Sequence, residues 1–244
     1  MKISGNTILI TGGATGIGLA LAEEFVNGNE VIICGRRKNT LEEAKKKLPK
    51  LHIKECDLTK PEERKALFDY VTSNFRNFNI LVNNAGIQRR IDLKKGIDAL
   101  QGEDEIEINF KAPVQLSALF IPFLLKQKEA AIINVSSGLG FVPIASMPIY
   151  CATKAAIHYY TLSLRHQLKD TSIKVFEIIP PTTDTELDKG QRKNYRGVPA
   201  LDVAKAAVKG IEQDEFEVAI GEAAGLREQS KTGFDEAFKR LNSY

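Results

Sequence analysis

Short runs of hydrophobic residues alternate along this chain with longer stretches in which hydrophobic residues recur at helical spacing. The run Thr7–Thr11 (TILIT) is apolar on both faces, as a strand inside a parallel sheet is, and an amphipathic stretch follows it at Gly16–Phe25. The same alternation predicts six further strands, at 30–34, 51–55, 79–83, 131–135, 173–179 and 217–220. It also predicts helices at 41–48, at 61–75, within 103–125 and at 150–168.

Strands that alternate with helices form right-handed crossovers and a parallel sheet that helices cover on both faces. No internal repeat and no low-complexity linker divides the chain. We therefore predict one doubly wound, Rossmann-like α/β domain over residues 1–244, with about seven strands. The charged segment 184–199 is predicted to form a small lid. Ligands of such sheets bind beyond the carboxyl ends of the strands, so candidate residues are expected there.

Composition excludes several classes of protein. Hydrophobic residues make up 43% of the chain and charged residues 27%, which is typical of a globular protein. The 34 Lys and Arg residues against 31 Asp and Glu residues leave a charge of +3, too small an excess to predict a nucleic-acid partner. The apolar N-terminal stretch is too short for a signal peptide, and no later run is long enough for a membrane span.

The cysteines and histidines predict neither a disulfide framework nor a metal site. Cys34, Cys56 and Cys151 are widely spaced and match no zinc-binding pattern, which favours a reducing, cytoplasmic location. The three histidines are scattered along the chain and form no ligand set. We therefore expect no metal.

A glycine-rich turn, TGGATGIG at 11–18, follows the first strand. Glycines permit a tight turn, let backbone N–H groups approach a pyrophosphate, and allow the next helix to point its positive N-terminus at the anion. The turn predicts a dinucleotide site, although the glycines would also suit a plain strand-to-helix turn. The candidate residues here are Thr11, Gly12, Thr15, Gly16, Ile17 and Gly18.

The second strand ends in Cys34-Gly35-Arg36-Arg37, without the acidic residue that would accept a hydrogen bond from the 2′-hydroxyl of an NAD ribose. A guanidinium group instead suits a 2′-phosphate, because its planar set of donors matches the phosphate oxygens. We predict that NADP(H) is preferred, through Arg36 and Arg37, with NAD(H) as the second option. The alternative is that the two arginines are the solvated start of the next helix.

The segment YCATK at 150–154 places Tyr150 and Lys154 on one face of a helix. A free tyrosine has a pKa near ~10, and a neighbouring ammonium group favours its phenolate form. A Tyr and a Lys at this spacing also occur as ordinary surface pairs. A catalytic role is favoured here because Ser136 and Ser137 follow the fifth strand just upstream.

These motifs, with Asp57, the NNAG segment at 83–86 and Asn109, resemble those of the short-chain dehydrogenase/reductase family over essentially the whole chain. The resemblance implies an NAD(P)-dependent oxidoreductase with the catalytic residues Asn109, Ser137, Tyr150 and Lys154. Tyr150 would donate a proton to a carbonyl that Ser137 polarises. Lys154 would hold the nicotinamide ribose and lower the pKa of Tyr150, while Asn109 would hold a water that links Lys154 to solvent.

The resemblance also implies further cofactor contacts. Asp57 and Leu58 would meet the adenine, Asn83, Ala85 and Gly86 the adenosine ribose, and Pro180, Thr183 and Thr185 the nicotinamide end. The residues at 83–86 would equally serve as the turn that ends the fourth strand, and Asp57 as a helix cap. Pro181 departs from the family pattern, because it stands where a glycine is usual and removes a backbone donor.

Within the family the sequence looks closest to the DltE-like branch, on the CGRR end of the second strand and the PP-x-x-D-T loop. The predicted function is an NADPH-dependent oxidoreductase that transfers hydride between nicotinamide and a small or hydrophobic carbonyl or alcohol. The alternative is a catalytically silent, NADP(H)-binding regulatory protein. The expected partners are a small-molecule substrate and further copies of the chain, in a homodimer or homotetramer, with no nucleic acid and no membrane.

Overall fold

A computed structural model describes residues 1–102, 104–188 and 197–243 of the chain. Its strands are β1 (Thr7–Thr11), β2 (Glu30–Gly35), β3 (His52–Glu55), β4 (Phe78–Asn83), β5 (Ala130–Val135), β6 (Ile173–Ile179), β7 (Thr183–Asp184), β8 (Val198–Pro199) and β9 (Glu217–Ala219). Its helices are α1 (Gly16–Phe25), α2 (Lys38–Lys47), α3 (Pro61–Asn74), α4 (Ala112–Leu124), α5 (Pro148–Gln167), α6 (Ala200–Glu212), α7 (Glu222–Thr232) and α8 (Phe234–Leu241). Short 3₁₀ turns lie at Leu93–Leu100, Gly138–Gly140 and Glu186–Asp188, and a π-helical turn, Glu107–Lys111, leads into α4.

Seven of the strands form one parallel sheet in the order β3-β2-β1-β4-β5-β6-β9, while β7 and β8 pair separately. The chain builds one half of the sheet outward from β1 to β3 and then returns to place β4 on the other side of β1. The loops after β1 and β4 therefore diverge at their carboxyl ends, which opens a crevice there.

Alternate residues of the central strands supply two hydrophobic cores, one on each face of the sheet. On β1, Ile8 and Ile10 pack on one face and Leu9 on the other, and all three side chains are fully buried. The first core includes apolar residues of α1 and α6, and the second those of α3, α4 and α5. Helices on both faces confirm the predicted doubly wound fold.

The seven predicted strands occur within one residue of their expected limits. The central ones are runs of apolar residues, whereas β3 (HIKE) is short, mostly polar and only partly buried. The helices α6, α7 and α8 had no counterpart in the sequence prediction. For α6 the signal was present, since Val203, Ala207 and Ile211 recur at helical spacing and are buried. The stretch predicted as a helix at 103–125 contains the π-helical turn before α4.

The predicted lid is described only at its two ends. Positions 189–196 of the segment 184–199 lie outside the described residues, and with them Lys189, Arg192, Lys193, Tyr195 and Arg196. On either side of them, the short strands β7 and β8 pair with each other. None of the helices in the described part of the chain combines the length and the apolar character that crossing a bilayer requires.

Candidate active site

A cleft of about 390 Å³ opens at the carboxyl ends of β1 to β5, where the chain order reverses. It brings together most of the residues that the sequence predicted for a cofactor, namely Gly12, Thr15, Gly16, Ile17, Arg36, Arg37, Asp57, Leu58, Ala85, Gly86, Tyr150, Lys154, Pro180 and Thr185. A second cavity of about 320 Å³ shares Tyr150, Pro180 and Thr185 with the cleft and adds Ser137 and Thr183. Thr11, Gly18, Asn83 and Asn109 are not among the residues that line either space.

The turn after β1 packs so closely on the residues after β4 and on itself that a side chain at either of two glycines would clash. Gly12 has a φ of +63°, and a Cβ atom there would stand 2.9 Å from the Cα atom of Ala85. A Cβ atom on Gly18 would stand 2.4 Å from the carbonyl oxygen of Gly12. Because α1 begins at Gly16, its first turn presents backbone N–H groups and the positive end of the helix to the cleft.

Thr11 and Asn84 fasten the ends of β1 and β4 behind the cleft. The Thr11 hydroxyl accepts hydrogen bonds from the backbone N–H groups of Asn84 and Ala85, both at 3.0 Å. The Asn84 side chain donates to the Thr11 carbonyl at 2.9 Å. Asn84 also lines the cleft, a role that the sequence analysis missed although the residue belongs to the NNAG motif.

Asn83 lies deeper, inside the sheet. Its side-chain amide donates to the side chains of Asn134 at 2.9 Å and Ser117 at 3.2 Å, and all three residues are buried. The structure therefore places Asn83 in support of the β4 and β5 ends, and its predicted contact with a ribose stays a prediction.

The ends of β2 and β3 form the far end of the cleft. Gly35 leaves this end without a carboxylate on β2, and Arg36 follows it with an exposed side chain. Arg37 forms an ion pair with Glu186 at 3.3 Å across the mouth of the cleft. Cys56 also lines this end. Burial raises the pKa of its thiol to about 12, so the thiol is uncharged at neutral pH.

Asp57 lines the cleft and also stabilises the turn that leads into α3. One carboxylate oxygen accepts hydrogen bonds from the backbone N–H of Thr59 at 3.0 Å and from its hydroxyl at 2.8 Å. The hydrogen bond from the Thr59 N–H is the main reason that the pKa of Asp57 lies below its usual value, and the positive charge of Arg36 contributes. Asp57 therefore stabilises the turn before α3 and does not cap the helix, whose N-cap residue is Lys60 and has no side-chain capping bond, so the alternative prediction of a helix cap is wrong. Its predicted contact with an adenine stays a prediction.

The opposite end of the cleft holds the tyrosine and the lysine of α5. The Lys154 ammonium group is buried, donates to the Val135 carbonyl at 2.8 Å and lies 5.7 Å from the centre of the Tyr150 ring. Burial lowers the pKa of Lys154 to about 8. The negative charge of Glu177 has the opposite effect and raises the pKa, but this effect is smaller. The spacing of four residues on one helix therefore does bring the two groups together.

Asn109 connects the π-helical turn to the segment after β4. Its side-chain amide donates to the Ile87 carbonyl at 2.8 Å and to the Thr153 hydroxyl at 3.1 Å, and its oxygen accepts from the Ile87 N–H at 2.8 Å. A Cβ atom on Gly86 would stand 3.3 Å from the Asn109 oxygen and 3.5 Å from the Lys154 nitrogen. Asn109 thus lies near Lys154, and its predicted water-holding role stays a prediction.

The second cavity adjoins the reactive end of the cleft and is mostly apolar. Ser137 and Tyr150 reach it, and the Ser137 hydroxyl oxygen accepts a hydrogen bond from the Leu139 N–H at 3.1 Å. Its other walls come from Gln88, Leu139, Met147, Pro181, Leu187, Glu222, Ala223, Leu226 and Leu241, among others. The sequence analysis missed the contributions of α7 and α8, because neither helix was assigned.

Several contacts between distant parts of the chain hold the surroundings of this cavity in place. Asn242, just after α8, accepts from the Ala145 N–H at 2.6 Å and donates to the Pro143 carbonyl at 3.2 Å, so the end of the chain is bound to the segment after β5. Thr185 packs beside Gly16, where a Cβ atom would stand 3.1 Å from its methyl carbon. Pro181 lines the cavity, and its carbonyl oxygen accepts a hydrogen bond from the Thr183 hydroxyl at 2.9 Å.

The described residues hold no group of three or more His, Cys, Asp or Glu side chains arranged for a metal ion. Cys151, which lies between Tyr150 and Lys154 in the sequence, packs with Ile144 and Met147, and burial raises the pKa of its thiol to about 11. Cys151 is therefore a packing residue at neutral pH.

Comparison with known proteins gives one consistent answer. A family model described as short chain dehydrogenase matches residues 6–196. The chain is 48% identical to the oxidoreductase DltE of Bacillus subtilis (strain 168), over 100% of this chain and 99% of that protein.

Solved structures of the same fold carry nicotinamide dinucleotides. A short chain dehydrogenase from Burkholderia cenocepacia J2315 in complex with NADP matches with a TM-score of 0.86 and 25% identity, over 99% of both chains. The 3-ketoacyl-(acyl-carrier-protein) reductase from Brucella melitensis complexed with NADH matches with a TM-score of 0.79 and 25% identity, over 88% of this chain and 93% of that one.

Proposed function

The chain belongs to the short-chain dehydrogenase/reductase family of oxidoreductases, and we propose that it is an NADPH-dependent member that interconverts a small or hydrophobic carbonyl compound and its alcohol. One observation carries the proposal. Tyr150 lies where a cleft with the features of a dinucleotide site meets a mostly apolar cavity, with Lys154 on one side and Ser137 on the other.

The residues of the cleft fit a nicotinamide dinucleotide. The absence of a side chain at Gly12 and Gly16 leaves backbone N–H groups beside the start of α1, as a pyrophosphate requires. Asp57 and Leu58 would hold the adenine end, Ala85 and Gly86 the adenosine ribose, Lys154 the second ribose, and Pro180, Thr183 and Thr185 the nicotinamide. When bound there, the cofactor would supply the hydride for reduction or accept it in oxidation.

The protein's own contribution is the proton. The Tyr150 hydroxyl donates to the carbonyl oxygen as negative charge develops on it, and Ser137 donates a hydrogen bond to the same oxygen. The buried Lys154 ammonium group lies beside the tyrosine ring and stabilises the phenolate that the proton transfer leaves behind.

The preference for NADPH rests on the end of β2. Gly35 offers no acceptor to a ribose 2′-hydroxyl, and the Arg36 side chain extends from the next position at the edge of the cleft. Arg36 directly follows Gly35 and lines the cleft, and the planar donors of its guanidinium group match the oxygens of a 2′-phosphate, so Arg36 is our candidate for that contact.

The substrate class follows from the second cavity. The side chains of Leu139, Met147, Pro181, Leu226 and Leu241 favour a hydrophobic group next to the carbonyl, because burying an apolar group in such a space is favourable and burying an unpaired charge is costly.

We also propose a homodimer or homotetramer assembled through α4 and α5, and a cytoplasmic location. Ala152 and Ser163 are exposed along one side of α5, with Tyr159 69% exposed between them, and Leu125 at the end of α4 is 47% exposed. Small residues around one large apolar side chain let a second helix approach closely. The three described cysteines are free and buried, as suits a reducing compartment.

Steady-state oxidation of NADPH with a panel of aldehydes, ketones and diketones tests the proposal. We expect turnover with at least one hydrophobic member of the panel and little with highly charged carbonyl compounds. Tight NADPH binding without turnover on any member would instead favour a regulatory protein that has kept the fold. The assembly of Ser137, Tyr150 and Lys154 at one point is the reason we expect turnover.

A further inference from the structure

A buried carboxylate lies on β6 beside the end of β5, the strand whose Val135 carbonyl binds Lys154, and neither the cofactor site nor the proton transfer uses it. Glu177 on β6 is fully buried. One of its oxygens accepts a hydrogen bond from the Ser136 hydroxyl at 2.5 Å, and the other lies 2.9 Å from the Nδ1 atom of His158, which donates to it. His158 is also mostly buried and packs against the ring of Phe141, with ring centres 4.6 Å apart.

The two partners of Glu177 are neighbours of the reactive residues. Ser136 lies between Val135, whose carbonyl accepts the hydrogen bond of Lys154, and Ser137, which lines the substrate cavity. His158 follows Lys154 by one turn of α5, so Tyr150, Lys154 and His158 share one face of that helix. Glu177 therefore holds the end of β5 on one side and the reactive face of α5 on the other.

Burying a carboxylate at this depth costs folding free energy unless nearby positive charge and hydrogen bonds offset the loss of its hydration. An apolar residue on a central strand of the sheet would fill the same space without that cost. The negative charge of Glu177 does act on Lys154, because it raises the lysine's pKa against the opposing effect of burial.

The two arginines near Glu177 are paired with a different carboxylate. Within the described residues, the elements packed against it contribute Lys154, His158 and Arg165 from α5, Glu217 from β9 and Arg227 from α7, beside the titratable Tyr150. Glu217 is next to Glu177 in the sheet, but its carboxylate is paired with both Arg165 and Arg227. This leaves Lys154 as the buried cation whose charge Glu177 balances.

We propose that Glu177 is a positioning residue for Lys154. Held between Ser136 and His158, it supplies the buried negative charge that keeps the Lys154 ammonium group protonated and hydrogen-bonded to the Val135 carbonyl during turnover. The inference rests on the proposed function, because Lys154 acts there on the proton donor.

Glu177→Gln tests the proposal, since it removes the charge and keeps the size of the side chain. The glutamine oxygen can still accept from His158, and its NH2 group can donate to the Ser136 hydroxyl, which is able to accept. The Lys154 ammonium group is followed by NMR in protein with isotope-labelled lysine, and its signal is assigned with Lys154→Met. We expect its titration midpoint to fall by about one pH unit or more in Glu177→Gln. Glu177→Asp keeps the charge and should return the midpoint towards that of the wild type.

The rate of carbonyl reduction should follow the same shift. Removing a negative charge lowers the pKa of nearby groups, so the alkaline limb of the kcat profile moves to lower pH in Glu177→Gln, while kcat on the acid side stays close to wild type. A loss of packing would instead lower kcat at every pH. An unchanged Lys154 midpoint in Glu177→Gln would overturn the proposal.

A measurement on the wild type covers the case in which the variant does not fold. The Lys154 signal of the wild type should report a protonated ammonium group throughout the pH range of activity, and a neutral amine there would also overturn the proposal. If the wild type reduces no carbonyl compound but Glu177→Gln shows the expected shift of the Lys154 midpoint, the proposed function is refuted, and only the effect of the Glu177 charge on Lys154 is supported.

Discussion

At the end of β2, one missing side chain decides which charge the cleft presents to a ribose. Gly35 has an open position, since a Cβ atom there would have Leu41 as its nearest neighbour, at 4.0 Å. A carboxylate would therefore fit at this position and would repel a 2′-phosphate. The chain instead has Arg36 next to it, exposed at the edge of the cleft.

Arg36→Ala is expected to weaken NADPH binding by about tenfold to a hundredfold and to leave NADH binding nearly unchanged. The reason is the loss of a charge-assisted hydrogen bond to the 2′-phosphate, worth roughly 1.5–3 kcal/mol. Titration of both cofactors at low salt measures the effect, because salt screens such contacts. Lys45→Ala removes an equal charge from the last turn of α2 and serves as the control.

Gly35→Asp combined with Arg36→Ala should reverse the preference, since the new carboxylate offers an acceptor to the 2′-hydroxyl of NADH. Equal affinity of the wild type for NADPH and NADH would show that Arg36 is only a solvated surface residue.

At the scale of elements, the site depends on how closely α1 packs against the turn before it. Gly18→Ala should lower the free energy of unfolding by about 1–3 kcal/mol, because the new methyl group meets the Gly12 carbonyl oxygen and the Asn84 side chain. The methyl group should also push Gly12 out of position, which should weaken NADPH binding because Gly12 lines the cleft.

Gly225→Ala is the matched control for Gly18→Ala. Gly225 lies within α7, and a Cβ atom there would meet nothing within 4 Å. Alanine should therefore stabilise the helix by about 0.5–1 kcal/mol, with no effect on cofactor affinity. Thermal and denaturant unfolding measure both variants, and a Gly18→Ala protein as stable as the wild type would contradict the packing described here.

The elements that the sequence predicted correctly are those with a local signal. A buried strand such as β1 is a run of apolar residues, and the pairing of Tyr150 with Lys154 follows from four residues of helix. The π-helical turn around Asn109 has no such signal, since its hydrogen bonds are to residues far along the chain.

Other roles also depend on contacts between distant parts of the sequence. Nothing around Glu177 marks it as a neighbour of Lys154, because the contact needs β6, β5 and α5 in place. The Thr11 hydroxyl binds backbone N–H groups just after β4, more than seventy residues away, and no local pattern predicts this contact. The cofactor contact expected of Thr11 stays a prediction. The amphipathic pattern of α6, by contrast, is a local signal from which this helix could be predicted.

At the scale of the molecule, assembly is the open structural prediction. We expect light scattering at micromolar concentration to give two or four times the chain mass of 27.0 kDa. Tyr159→Arg should shift the protein towards the monomer, because it places a charge in the middle of the proposed contact on α5. A wild type that scatters only as a monomer would contradict the proposed assembly.

The agreement of fold, site and family supports one central claim, that Tyr150 gives its proton to a substrate whose hydride comes from a cofactor bound in the cleft. Turnover of NADPH by Tyr150→Phe, measured beside its cofactor affinity, tests this claim most directly. Tyr159→Phe, which removes an exposed hydroxyl from the same helix, is the control.

We predict that Tyr150→Phe binds NADPH as the wild type does and loses about 10²- to 10⁴-fold in kcat, the usual contribution of a positioned proton donor, while Tyr159→Phe keeps its activity. Reduction by Tyr150→Phe at close to the wild-type rate would contradict the account.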